Sequence, residues 1–106
     1  VKYAWRKDAN HNAIVRAFQQ AGASVLDLSG VGGGCPDLLV GIGGVDLLVE
    51  VKLPVGKRGG TAHSALNHLQ RAFHAHWRGR TPVVIRTVED VEVLIDTTLA
   101  HSTKDP

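Results

Sequence analysis

Residues 36–52 read Pro36-Asp37-Leu38-Leu39-Val40-Gly41-Ile42-Gly43-Gly44-Val45-Asp46-Leu47-Leu48-Val49-Glu50-Val51-Lys52. Two apolar-rich runs, 37–42 and 45–52, flank Gly43-Gly44, a dipeptide that readily supplies the positive φ angles of a two-residue hairpin turn. With that turn Ile42 stands opposite Val45, Val40 opposite Leu47, Leu38 opposite Val49 and Asp37 opposite Glu50. Directly opposed residues have Cβ atoms about 4.5–5.5 Å apart on one face, so two carboxyl groups are expected side by side in an otherwise apolar hairpin. Such a pair repels itself and is further disfavoured by leaving water. A divalent cation relieves both penalties, and carboxylate oxygens with waters and a backbone carbonyl suit Mg²⁺ or Mn²⁺. Lys52, two residues beyond Glu50, shares that face by strand alternation. Its ammonium can hold or deprotonate a water there, or neutralise charge on a pentavalent phosphate. Two acids, a lysine and a cation are the parts needed to hydrolyse a phosphodiester. The same spacing also suits a plain strand end, with Asp37 finishing a loop and Glu50 and Lys52 solvated, and a turn one residue longer separates the pair.

Outward from the hairpin, Asp8 is suited to cap a helix running to about residue 21, with Gly22 where helices stop. Ile14, Phe18 and Ala21 form one buried face, widened by Val15. Residues 23–28 read as a strand and Gly30-Val31-Gly32-Gly33-Gly34 as a loop. After Pro54, residues 55–63 form a glycine-rich linker. A second helix is predicted over 64–78, burying Leu66, Leu69, Phe73 and Trp77 before Gly79. Residues 82–87 read as a strand. Thr87 with Asp90 caps a last helix that buries Val88, Val91, Leu94 and Ile95. The prediction is a single α/β domain spanning 1–106, its core about 8–100 and a tail over 101–106. Its element order is α-β-β-β-α-β-α, with a mixed central sheet flanked by helices.

Length and composition agree with one soluble globular domain: 106 residues, 43% hydrophobic and 21% charged. One cysteine, Cys35, excludes an internal disulfide, and a reducing intracellular setting is the expectation. No apolar run approaches the roughly 20 residues of a membrane span, and residues 1–20 carry no signal-type apolar core. The net charge is only +2, but its distribution is uneven. Lys52, Lys57, Arg58, Arg71, Arg78 and Arg80 occur over residues 52–80 with no acid among them, and His63, His68, His74 and His76 lie in the same stretch. A basic middle suits a polyanion such as nucleic acid, though an ordinary solvated surface also accounts for it.

Pro36-Asp37, twelve intervening residues, then Glu50-Val51-Lys52, set in α-β-β-β-α-β order, resembles the PD-(D/E)XK nuclease superfamily. More closely, Gly33-Gly34-Cys35-Pro36-Asp37-Leu38-Leu39-Val40-Gly41 followed by Leu48-Val49-Glu50-Val51-Lys52 is similar to the stand-alone VRR-NUC domains of phage and bacteria. The resemblance covers roughly residues 8–96. It implies a restriction-endonuclease-like fold and a Mg²⁺- or Mn²⁺-dependent DNA endonuclease, related to Holliday-junction resolvases. Asp37 and Glu50 then bind metal, the backbone carbonyl of Val51 adds a ligand, and Lys52 assists catalysis. Branched or junction DNA is the expected substrate and the bacterial or phage-infected cytoplasm the expected location.

One departure stands out. Relatives often carry a glutamate on the first helix, and the position aligned to it here is Ala13. Asn10 and His11, one turn earlier, are the residues that can support the site instead. Gln70 resembles a glutamine on the helix after the lysine that points toward the site in this family, and His74 and Trp77 also fit its pattern. Lys57 and Arg58 are candidate phosphate contacts. The alternative is a nuclease-fold DNA-binding module that is catalytically weak or inactive, which the missing acid favours. A phosphate-cradling glycine loop and a zinc site are weaker readings, since no Gly-Lys-Ser/Thr follows Gly34 and Cys35 has no partner cysteine. A homodimer is expected from the small size and the two-fold symmetry of junctions. Its interface would use Val91, Val93 and Leu99, or Trp5 and Tyr3.

Overall fold

A computed structural model of the chain describes residues 2–55 and 65–102 of the 106, with side chains for 5–55 and 65–101. The elements are α1 (Lys2–Gln20), β1 (Ser24–Asp27), β2 (Leu38–Ile42), β3 (Val45–Val51), α2 (His68–His76), β4 (Val83–Ile85) and α3 (Val88–Ser102). Gly43 and Gly44 take φ of 59° and 76°, the left-handed values that a two-residue hairpin turn demands and that glycine adopts without strain. The turn sets the β2–β3 register: Ile42 opposite Val45, Val40 opposite Leu47, Leu38 opposite Val49. The sheet order is β1-β2-β3-β4, antiparallel except for the parallel β3–β4 pair. The result is a mixed four-stranded sheet in the element order α-β-β-β-α-β-α.

Strand alternation sends Leu38, Val40 and Ile42 to the same side as Leu47 and Val49, and all five are buried. There they join Ile14 and Phe18 of α1, Ile85 of β4, and Val91 and Ile95 of α3 in one apolar cluster. Ile14 and Phe18 are four residues apart, so α1 presents them from one face. Helix α3 starts with a reciprocal cap. The Asp90 backbone N–H donates to Thr87 Oγ1 at 3.1 Å, and the Thr87 N–H donates to Asp90 Oδ2 at 3.1 Å.

The helices differ from the sequence reading in several places, and Ala21, expected on the buried face of α1, is exposed. Helix α1 begins at Lys2, so Asp8 is an interior helical residue rather than its cap; the preceding residues extend the same helix, and Gly22 at φ 91° ends it as expected. Helix α2 starts after Asn67, whose side chain accepts from the Gln70 N–H while Gln70 Oε1 accepts from the Asn67 N–H, each at 2.9 Å. That capping box, not a start near residue 64, defines its first turn, and residue 64 itself lies outside the described residues. No residue of α2 is buried: Leu69 is half-exposed, Leu66 and Phe73 are partly covered, and Trp77 stacks on Phe73 with ring centroids 5.2 Å apart. The period of those apolar residues is satisfied by local stacking rather than by the core. On α3, Val88 is exposed while Val91 is fully enclosed in the core and Leu99 packs against it. Burial removes Val91 from any interface with a second copy. Among the candidate interface residues, Val93 and Trp5 are exposed and the side chain of Tyr3 lies outside the described residues.

Among the described residues no helix is long and apolar enough to cross a membrane.

Candidate active site

The β2–β3 ladder ends at the Leu38–Val49 pair, one residue short of Asp37 and Glu50. Asp37 directly precedes β2, and its carboxyl lies beside that of Glu50. Asp37 is fixed twice more: Oδ2 accepts from the Val51 N–H at 2.8 Å, and its carbonyl accepts from the Leu28 N–H at 2.7 Å. Glu50 projects from the side of β3 opposite to Leu47 and Val49, yet is only 2% exposed. Its Oε2 receives the Gln70 Nε2–H at 3.3 Å, while Oε1 is buried with no hydrogen-bond partner. Burial first, then the hydrogen bond and charge of Asp37, push the Glu50 carboxyl up to about 8; Lys52 and Lys7 pull the other way. Burial and Asp37 both favour the protonated form of Glu50.

Lys52 follows β3 and lines the same space. Its N–H donates to the Ile85 carbonyl at 3.0 Å and its own carbonyl accepts from Asn10 Nδ2 at 3.1 Å. One residue on, the Leu53 carbonyl accepts from Arg86 Nη1 at 2.9 Å. Helix α1 and the segment after β4 thus hold the chain just past Glu50 from two sides. Asn10 supports the site through the Lys52 backbone.

These groups open into a cavity of about 380 Å³ lined by Asp37, Glu50, Val51, Lys52 and Gln70 together with Lys7, Asp8, Asn10, His11, Asp27 and Ser29. The structure thereby brings together Asn10, His11, Asp37, Glu50, Val51, Lys52 and Gln70, all singled out from sequence. Lys57 and Arg58 lie outside the described residues. Ala13 does not line the cavity; α1 reaches it with Lys7, Asp8, Asn10 and His11. Sequence reasoning missed Lys7, Asp8, Asp27 and Ser29. A signal for the last two was present, since Asp27-Leu28-Ser29 is the pattern of a side chain bonding backbone two residues on. His74 lies nearby, its Nε2 buried without a partner and its imidazole pushed down by burial and then by Lys52. Burial and the charges of Glu50 and Asp37 push the Cys35 thiol up.

A partnerless buried oxygen on Glu50, beside a second carboxyl, fits a small hard cation that prefers oxygen donors. Among the described residues no group of three or more His, Cys, Asp or Glu side chains forms a cage by itself. One or two carboxylates completed by water and substrate phosphate is the usual Mg²⁺ arrangement. The first turn of α2 packs on Gly34: at φ 81° it lies so close to the Leu69 backbone that a Cβ would stand 2.4 Å from the Leu69 carbonyl oxygen. Helix α2 therefore has a fixed seat beside the carboxyl pair without a buried side chain of its own. No family model matches the chain, and neither curated proteins nor solved structures give a match.

Proposed function

We propose that this chain is a Mg²⁺- or Mn²⁺-dependent endodeoxyribonuclease with a restriction-endonuclease-like fold, acting on branched or junction DNA in the cytoplasm of a bacterial or phage-infected cell. The observation that carries the reading is the Asp37–Glu50 carboxyl contact at the hairpin end, with an unpartnered Glu50 oxygen inside a cavity shared with Lys52. Asp37 and Glu50 would hold the metal, with the Val51 carbonyl as a further donor. When bound, a divalent cation polarises the phosphate and lowers the pKa of an attacking water. Glu50 would serve as a ligand in its ionised form, and Gln70 holds one of its oxygens toward α2. Lys52 orients the water or balances charge on the phosphate. Lys57 and Arg58 are the proposed phosphate contacts outside the cavity. Two copies related by a two-fold axis would match a two-fold junction, with Val93 and Trp5 among the exposed apolar residues. Light scattering at micromolar concentration checks that assembly: a mass of one chain, unchanged by junction DNA, removes it.

Cleavage is tested on duplex, flap and four-way-junction DNA with Mg²⁺ or Mn²⁺. Asp37→Ala and Glu50→Ala are expected to reduce cleavage to background while DNA binding in Ca²⁺ survives. Undiminished cleavage by both variants overturns the assignment. DNA binding without cleavage by the unsubstituted chain, in either metal, would instead identify a binding module.

A further inference from the structure

In the same cavity as the carboxyl pair stands a second polar group that metal binding would leave unused. His11 is three residues before the core residue Ile14 on α1, and its Nε2 lies 3.2 Å from Oδ2 of Asp27 at the end of β1. Asp27 is itself held in place, because Oδ1 accepts from the Ser29 backbone N–H at 2.8 Å and from the Ser29 hydroxyl at 2.5 Å. Those two bonds, with a smaller contribution from His11, hold the Asp27 carboxyl below the usual carboxylate range. An ionised carboxylate only accepts, so His11 donates through Nε2, and Nδ1 is the ring nitrogen left to meet a bound group. Exposed pairs of this kind add little to stability, and here the side chains are 22% and 56% exposed. Yet three residues from α1, β1 and the following turn converge on the one cavity that also contains Asp37, Glu50 and Lys52. Histidine held through one nitrogen by an oriented carboxylate is the arrangement that fixes an imidazole for proton transfer.

We propose that His11, oriented by Asp27, is the general acid that protonates the leaving sugar oxygen when a phosphodiester is cleaved in this cavity. The inference rests on the nuclease reading. Water oxygen forms the new bond to phosphorus and loses a proton to solvent. The bond from phosphorus to the sugar oxygen breaks, its electron pair stays on that oxygen, and the His11 imidazolium delivers a proton to it through Nδ1. The neutral ring recovers a proton from solvent before the next turnover. Asp27 remains ionised throughout and stabilises the imidazolium. The charged groups lining the cavity with the ring are Lys7 and Asp8 from its own helix, Asp27 from β1, and Asp37, Glu50 and Lys52 from the hairpin end. Of these, Asp27 is the one in contact with it. Sugar alkoxide is a poor leaving group, and a positioned acid typically contributes about 10²–10⁴-fold.

The test compares a DNA linkage cut by the unsubstituted chain with the same linkage carrying sulfur in place of the bridging 3′- or 5′-oxygen, since a thiolate leaves without a proton. His11→Gln is expected to lower kcat on the oxygen substrate by about 10²-fold or more, with KM unchanged. On one of the two sulfur substrates it should match the unsubstituted chain. Asp27→Asn, which keeps the shape but not the charge, should show the same selective loss to a smaller degree. Thermal melting of both variants confirms that they fold. Equal slowing on oxygen and sulfur substrates, no slowing, or a raised Mg²⁺ requirement with an unchanged oxygen-to-sulfur ratio each overturns the proposal. Failure of the unsubstituted chain to cut any DNA overturns the nuclease reading, and this proposal with it.

Discussion

On one side of β3, Leu47 and Val49 are enclosed with Ile14, Phe18 and Val91; on the other side of the same strand Glu50 is as deeply buried, but among polar groups. The first burial stabilises the fold through apolar area removed from water. The second works against it, because a carboxyl enclosed beside another carboxyl, with one oxygen unpartnered, is disfavoured in its charged form. Adjacent residues of one strand thus contribute to stability with opposite sign.

Damage to the apolar side should have the largest effect on stability. Phe18→Ala removes a fully enclosed ring and is expected to cost about 3–5 kcal/mol in denaturant unfolding. The carboxyl pair should keep its pH behaviour in whatever fraction remains folded. The polar side gives a pH effect of the opposite kind to the usual one for an acid. Glu50 is raised from 4.5 to about 8 in the folded chain. Between those values the folded state keeps a proton that the unfolded state has lost. Stability without metal therefore falls as pH rises through that window. Urea midpoints from pH 4.5 to 8.5 measure it, and Glu50→Gln should flatten the decline while leaving the protein more stable at pH 8. Mg²⁺ or Mn²⁺ should restore stability most at the alkaline end, where no proton has to be displaced. The smallest stability effect expected is at Asn67→Ala, about 1 kcal/mol for a lost N-cap. Cleavage should fall further than that loss explains, since Gln70 would no longer be held by the cap while it meets Glu50.

How much of this was legible depended on whether local sequence settled the geometry. Gly43-Gly44 admits few turns, and the alternation on either side leaves one register that buries Leu38, Val40, Leu47 and Val49 together. The neighbourhood of Asp37 and Glu50 followed from that alone. Helix α2 was misjudged because Leu66, Leu69, Phe73 and Trp77 have the period of a buried face, but periodicity cannot tell burial in a core from stacking on a surface. The start of α1 was misplaced because Asp8 is as good a cap as it is a tolerable interior residue. His11 was visible only as one of two polar residues near the core stripe. Its pairing with Asp27 joins α1 to β1 across sixteen residues and depends on how the helix is rotated over the sheet, which no local pattern reports.

Gly34 has a consequence beyond its own turn. It touches Leu69; Leu69 adjoins Gln70, Gln70 grips Glu50, Glu50 meets Asp37, and Asp37 is three residues along the chain from Gly34. The contacts close into a ring, as in a mechanical linkage whose bars return to the first pivot. In such a loop no joint turns alone: a tilt of α2 draws on Glu50 and, through the backbone, on Asp37 together. The distance between the two carboxyls is thus set by the whole circuit, and a side chain added at Gly34 would spread its far side without touching either acid.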